Sequence, residues 1–340
     1  MIKECISKLV EGESISFAEA RDVAEEIMTG KATPSQIAAF ITSLRIRGES
    51  IEAITAFVSV MRAKAAPFKA PSDTPILDTC GTGGDQSKTF NISTLASIIS
   101  ASAGIKVAKH GNRAVSSRCG SADVLESLGV KIDCPIHISE KCLLETNFCF
   151  LFAPIYHGAM KYAVEPRRDI GIRTIFNLVG PLSNPARASH QLLGVFKSDL
   201  APIFADVLAN LGTKRALIVY GTDMLDEISL SSVTSVAELF EDGRIKTYTI
   251  NPADFGFKLY PTTEFTGGDR EENAKIFMNI LKGEKGPKTD ITLLNAGAAI
   301  YIAERAESIR EGIEIAKKAI ESGAALDTLE KVKQTTSKAI

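Results

Sequence analysis

Apolar residues over positions 1–70 fall at helical spacing. Ile37, Phe40, Ile41 and Leu44 recur at i, i+3, i+4 and i+7, one stripe that an α-helix turns toward its core. The polar residues that interrupt the pattern are helix-start signals. Ser16-Phe17-Ala18-Glu19 reads as a capping box for a helix running to Gly30. Thr33-Pro34-Ser35-Gln36 reads as a second box with proline at the first helical position, and Ser50 caps a third helix carrying Ile54, Phe57, Val58 and Met61. Ala66 to Pro71, holding two prolines, reads as the exit linker. The spacing predicts a small N-terminal helical domain whose apolar stripes serve packing or a dimer face.

From residue 75 the rhythm changes to short buried strands alternating with helices. Strand candidates are Pro75-Ile76-Leu77, Ile105–Ala108, Phe148–Ala153, Leu192–Phe196 and Ala216–Tyr220. Val236–Phe240 and Ile245–Ile250 flank Glu241-Asp242-Gly243-Arg244, a hairpin signal. Helices follow through Leu95 and Ile98, through Val124 and Leu128, and through Ile203 and Val207. Another is expected to start at Pro166-Arg167-Arg168-Asp169, run through Ile172, Ile175, Phe176 and Leu178, and stop at Gly180-Pro181. The last third reads as helix at Glu271–Leu281, Asp290–Ala303 and Ile309–Lys333, broken near Gly323. The fold class is α/β: a small helical domain plus a larger domain with a mostly parallel central sheet flanked by helices.

The strand ends carry the candidate chemistry. Asp78-Thr79-Cys80-Gly81-Thr82-Gly83-Gly84-Asp85 turns from the first strand toward a helix opened near Ser93. Glycines let backbone N–H groups approach an anion, and a helix start adds unpaired donors, so the loop is either a phosphate cradle or a plain tight turn. It has neither the Lys-Ser/Thr ending of a P-loop nor a dinucleotide fingerprint. Asp85 would repel phosphate, so it must bond a sugar hydroxyl, a metal-bound water or backbone N–H; a phosphorylated sugar would explain loop and carboxylate together. The next strand delivers a second polar loop, Lys109-His110-Gly111-Asn112-Arg113, ahead of Gly120-Ser121-Ala122-Asp123 and a helix. Two such loops can face one pocket at the carboxyl edge of a parallel sheet.

Composition narrows the classes. The chain has 340 residues, 45% hydrophobic and 24% charged, which is ordinary globular material with room for two domains. A net charge of −2 gives no global attraction for nucleic acid, and the cations at Lys109, Arg113, Arg118 and Arg167-Arg168 suit a small anionic ligand or carboxylates. No apolar run approaches a membrane span, and the first residues lack a signal-peptide pattern, so a cytoplasmic protein is expected. Six cysteines show no metal spacing and read as buried small hydrophobes, with Cys80 and Cys119, inside the loops, as alternative nucleophiles.

Asp226-Glu227 follows a predicted strand. The two carboxylates either converge on a hard cation such as Mg²⁺, with Ser93 lending a hydroxyl, or form a solvated acidic loop. His110 reads as a general base or a hydrogen-bonded orienting group, and His157 as a satisfied core residue.

Taken together and in order, Gly81-Thr82-Gly83-Gly84-Asp85, Asn91-Ile92-Ser93-Thr94, Lys109 to Arg113, Gly120 to Asp123, Arg173 to Asn177 with Gly180-Pro181-Leu182, and Asp226-Glu227 resemble the anthranilate phosphoribosyltransferases. The resemblance spans essentially the whole chain, including Leu294-Asn295-Ala296-Gly297-Ala298-Ala299. It implies transfer of the phosphoribosyl group of 5-phosphoribosyl 1-diphosphate (PRPP) to the amine of anthranilate in tryptophan biosynthesis, releasing pyrophosphate. It implies a homodimer formed through the helical domain. It also implies that about 166–186 joins the helical domain of 1–70, while 75–165 and 187–340 form the PRPP-binding α/β domain. PRPP would be held by Gly81, Gly84, Asp85, Thr89, Asn91, Ile92, Ser93, Thr94, Lys109, His110, Gly111, Asn112, Arg113, Ala114, Val115, Ser116, Ser117 and Ser121. Anthranilate would meet Gly81, Asn112, Arg167, His110 and Pro181, with Arg167 answering its carboxylate. Ser93, Asp226 and Glu227 would hold Mg²⁺. Gln86-Ser87 depart from the small residues usual after Asp85, which touches only loop shape. The alternatives are a pyrimidine nucleoside phosphorylase, which would carry a second glycine at Asn112, and a non-catalytic nucleic-acid-binding paralogue, which would lack Asp226-Glu227.

Overall fold

The structure, a computed structural model, describes residues 1–71, 73–83, 88–114 and 118–337. Strands β1 (Ile76–Gly81), β2 (Lys106–Gly111), β3 (Phe148–Phe152), β4 (His190–Gly194) and β5 (Arg215–Gly221) run parallel. The hairpin strands β6 (Thr234–Leu239) and β7 (Ile245–Ile250) add antiparallel beside β5. The order is β3-β2-β1-β4-β5-β6-β7 in a seven-stranded sheet. Inner strands are buried along their length, as expected where helices cover both faces, whereas β7 at the edge is largely open to solvent. The chain leaves β1 toward β2 and β3, then returns to β4 on the other side of β1. That reversal opens a crevice beyond the carboxyl ends of β1 and β4, where ligands gather in such sheets.

The helical segments form for the reasons their caps suggest. Ser16 and Glu19 close a reciprocal capping box on helix Phe17–Met28, and Thr33 and Gln36 do the same on Pro34–Arg47. The Ser50 hydroxyl accepts from the Ala53 N–H at 3.2 Å to start Ile51–Lys64. A further helix, Ile2–Val10, precedes them. Helix Ile136–Thr146 has no counterpart in the sequence reading; its N-cap is Pro135, without a side-chain cap bond, so no polar signal marks it.

One expected boundary is corrected. Pro166 does not begin a helix but sits inside Lys161–Ile170, which ends at Gly171 (φ 63°) before a second helix, Ile175–Leu182, opens at Thr174. Proline removes one N–H there but its fixed φ suits a helix, whereas the left-handed glycine breaks the run that apolar spacing had joined. Gly180 and Pro181 lie within the last turn of that second helix.

Both of these helices pack on the N-terminal bundle, Lys161–Ile170 on Pro34–Arg47 and Ile175–Leu182 on Ile51–Lys64. Phe57 stacks on Phe40 at 6.0 Å and meets Phe176 edge-on at 5.8 Å, and each such ring contributes about 1.5–3 kcal/mol by burial. The bundle's core continues into one face of the sheet through Leu193, Ile218, Ala237 and Phe204. The other face packs with Leu77, Val107, Leu217, Ile98 and Leu294. Helices and sheet thus share apolar contacts along the crevice wall.

Candidate active site

A cleft of about 620 Å³ opens at the carboxyl ends of β1 and β2. Its walls hold Gly81, Thr89, Asn91 to Thr94, Lys109 to Ala114 and Ser121, together with Asp226 and Glu227. Arg167, from the helical bundle side, closes the same cleft. Gly84, Asp85, Val115, Ser116 and Ser117 lie outside the described residues. Pro181 is not on the lining; its carbonyl accepts from Gln191 Nε2 at 2.8 Å and from the Cys80 thiol at 3.6 Å, behind the wall. A wider depression of about 920 Å³ over Arg215, Phe240 and Tyr301 contains none of these residues.

The two carboxylates are drawn onto the loop and helix start. Asp226 Oδ2 accepts from the Gly83 N–H at 2.9 Å, and Glu227 Oε1 accepts from the Ser93 N–H at 3.0 Å. The latter bond caps helix Ile92–Ser102 at its positive end, where an anion is favoured. Such an approach needs bare backbone. A Cβ on Gly81 would lie 2.5 Å from Asp226 Oδ2, and one on Gly194 would lie 1.6 Å from the Asp226 carbonyl oxygen. Ser93, Asp226 and Glu227 therefore gather hydroxyl and carboxylate oxygens, the donor set of a hard cation. No group of three or more His, Cys, Asp and Glu forms an all-protein metal cage among the described residues.

Beneath the cleft floor lie two buried ionisable side chains, Lys109 and Asp78. Lys109 Nζ donates to the Thr79 carbonyl and stands 3.5 Å from Ser93 Oγ. Asp78, fully buried, accepts from the His110 N–H at 3.2 Å and from Gln191 Nε2 at 3.4 Å. Burial pushes Asp78 up and Lys109 down, each toward its neutral form, and the charge of the other opposes the shift. Asp78 and Gln191 were not among the expected site residues, although a carboxylate inside the apolar run Ile76-Leu77 was a visible signal.

His110 is buried, and its pKa is pushed down to about 3 by burial, then by His157 and Lys109. Held neutral by burial, it is a weak base, which favours the orienting reading over the general-base one. His157 departs from expectation. Its ring meets that of His110 at 5.0 Å, and Nε2 of each is buried without a partner. Burial holds His157 at about 4. The thiols of Cys80, pushed well above its ordinary value, and Cys119, at about 11, are raised by burial, so neither supplies a thiolate nucleophile.

The remaining positions divide by commitment. Asn91 is held from both sides, donating to the Cys119 carbonyl and accepting from Asn273, each at 3.0 Å. The Asn112 carbonyl accepts from Ser121 Oγ at 3.3 Å, tying the second loop to the helix that follows. The Arg113 guanidinium turns to Asp123 and Glu126 at 3.1 and 2.8 Å. Arg167 lies 5.4 Å over the Phe176 ring, with its pKa lowered by burial and no carboxylate partner among the described residues. Arg173 and Asn177, beside it on the lining, were not expected there.

Fold and cleft together define a glycosyltransferase with a helical bundle and an α/β domain. The family model "Glycosyl transferase family, helical bundle domain" matches residues 3–65, and "Glycosyl transferase family, a/b domain" matches 73–326. An anthranilate phosphoribosyltransferase of Acetivibrio thermocellus is 48% identical over 338 residues, covering 99% of this chain and 97% of that one. The crystal structure of anthranilate phosphoribosyltransferase from Thermus thermophilus superposes with a TM-score of 0.92 at 39% identity, covering 98% and 99% of the two chains. That from Saccharomyces cerevisiae in complex with PRPP and Mg superposes at 0.89 and 29% identity, covering 99% and 98%. The chain belongs to the anthranilate phosphoribosyltransferase family.

Proposed function

We propose that this cleft transfers the 5-phosphoribosyl group of PRPP to the amine of anthranilate, giving N-(5-phosphoribosyl)anthranilate and pyrophosphate, a step of tryptophan biosynthesis. The observation that carries the reading is convergence: a glycine loop, a helix start with two carboxylates, a buried lysine and an arginine without a carboxylate partner among the described residues meet in one cleft. In this reading Gly81, Thr89, Asn91 to Thr94, Lys109 to Ala114 and Ser121 hold PRPP, joined by Gly84, Asp85 and Val115 to Ser117. Gly81, Asn112 and His110 border anthranilate, with Pro181 supporting that wall, and Arg167 answers the carboxylate.

Ser93, Asp226 and Glu227 would hold Mg²⁺, which supplies charge neutralisation at the departing diphosphate. The chain's own contribution is electrostatic and positional. The positive end of helix Ile92–Ser102 and the Lys109 side chain offset negative charge as the C1–diphosphate bond breaks. Arg167 fixes the aromatic acid so that its amine faces the developing oxocarbenium carbon, and such orientation alone is worth up to ~7–11 kcal/mol. No thiol or imidazole is poised as a nucleophile, which fits direct displacement.

Purified protein with PRPP, Mg²⁺ and anthranilate is expected to consume PRPP and anthranilate together and to release pyrophosphate. Phosphorolysis of thymidine with phosphate, or retention of DNA in place of turnover, would sink the proposal. The helical unit of 1–70 with about 166–186 is read as the dimer-forming part of a cytoplasmic homodimer. Its support is the exposed Val10, Ile46 and Val164, 71%, 80% and 54% accessible, on helices that pack together. Sedimentation should give twice the chain mass, and a monomer at micromolar concentration would refute this. No helix among the described residues is long and apolar enough to cross a membrane.

A further inference from the structure

The junction between the helical bundle and the amino-terminal end of the sheet holds a second pocket, remote from the strand ends that form the cleft. Its volume is about 400 Å³. Ser59 and Arg62 of helix Ile51–Lys64 line one side, Arg187 and Ala188 ahead of β4 another, and Leu211 to Thr213 ahead of β5 the third.

Two guanidinium groups share this space. Arg62 is committed only at Nε, which donates to the Leu182 carbonyl at 2.9 Å, and neither arginine has an ion-pair partner among the described residues. Burial, and then the charge of Arg187, push Arg62 down to about 10, against the opposing pull of the buried Asp78 carboxyl. Arg187 holds a left-handed backbone (φ 51°), uncommon outside glycine, and its N–H donates to the Asn184 carbonyl at 3.0 Å. Thr213 adds a hydroxyl that is buried without a partner among the described residues. Arg62 is half-buried and Arg187 is exposed at the pocket mouth, so water screens part of their repulsion, and an anion seated between them would remove the rest. The C-terminal end of helix Leu200–Asn210 supplies a partial negative charge nearby. Its last carbonyls, however, already accept from the N–H groups of Leu211, Gly212 and Thr213.

We propose that this pocket binds a small phosphate-bearing dianion, gripped by the Arg62 and Arg187 guanidinium groups with the Ser59 and Thr213 hydroxyls alongside. Two planar cations match the charge and oxygen spacing of a phosphate better than those of a single carboxylate. The Ser59 hydroxyl donates to the Thr55 carbonyl and keeps its lone pairs for a bridging water or donor. The pocket is separate from the cleft, although the charge of Arg62 reaches Asp78 and His110 beneath it.

Crystals soaked in tungstate, an anomalous scatterer of phosphate-like shape and charge, are expected to show a peak between Arg62 and Arg187, apart from any in the cleft. Calorimetric titration with inorganic phosphate is expected to show a component that weakens at least ~tenfold in Arg187→Asn and in Arg62→Gln, the scale of one lost charge-assisted hydrogen bond. The same component persists in Arg167→Gln. Asparagine tolerates left-handed backbone, and an unchanged melting temperature certifies that Arg187→Asn is folded. No tungstate peak at the arginines, or identical phosphate titrations for wild type and folded Arg187→Asn, overturns the proposal; the helix end alone would then answer the two charges.

Discussion

Glu227 has two possible duties at the scale of the single residue, and a substitution separates them. Its carboxylate accepts from the Ser93 N–H and so helps start a helix, and it faces the space where a divalent ion would sit. Glu227→Gln keeps an oxygen for the N–H but removes the charge. Turnover at saturating PRPP should fall by roughly two orders of magnitude with the fold intact; a rate within a factor of two of wild type would reject the metal role. His110 and His157 make a second residue-scale prediction. Their folded pKa values, about 3 and 4, lie below the 6.5 of a free imidazole. Below pH 6.5 the unfolded chain therefore binds protons that the native state refuses, so stability is complete above that pH and lost as it falls toward 4. The loss is on the order of 3 kcal/mol per imidazole across that window. Urea midpoints should drop between pH 7 and pH 4.5, and the drop should be shallower in His157→Gln. Equal slopes would contradict the burial assigned to that ring.

At the scale of elements, the decisive contact is the seating of the 221–227 loop against the ends of β1 and β4. Gly194 is not in a left-handed conformation; it is glycine because the Asp226 carbonyl occupies the place of a Cβ, at 1.6 Å. Gly194→Ala must push that loop outward as backbone, whereas Gly81→Ala meets only the end of the Asp226 side chain at 2.5 Å, which can rotate. Assayed side by side, Gly194→Ala is expected to lose at least ~100-fold in turnover and Gly81→Ala distinctly less. The reverse order would show that the loop does not rest on β4. None of this was visible from the glycine pattern, which pointed to the loops after the first two strands and not to Gly194. The helices with reciprocal caps were legible because Ser16 with Glu19, and Thr33 with Gln36, complete their bonds within three residues. Helix Ile136–Thr146, without such a cap, was not legible, and Pro166 was misplaced because a helix start and a tolerated internal proline look alike until Gly171 is seen to turn left-handed.

The whole molecule brings the cleft together from two structural units. The bundle side supplies Arg167, and the sheet side supplies Lys109, Ser93 and the acidic pair. Arg167→Gln should raise the KM for anthranilate at least ~tenfold while moving that for PRPP little, since it removes one charge-assisted contact on one side of the cleft only. A matching rise in both would mean that the arginine sets the position of the bundle and does not read the carboxylate. By itself the sequence determined the helical caps, the buried strands and the polar loops at their ends, because those depend on periodicity and on bonds between near neighbours. Tertiary structure alone decided that Asp226 lies against Gly83 and beside Gly194, that His157 presses on His110, and that Asp78 sits under the floor with Gln191. These contacts join residues far apart in the chain, and packing of the completed sheet against its helices fixes their distances.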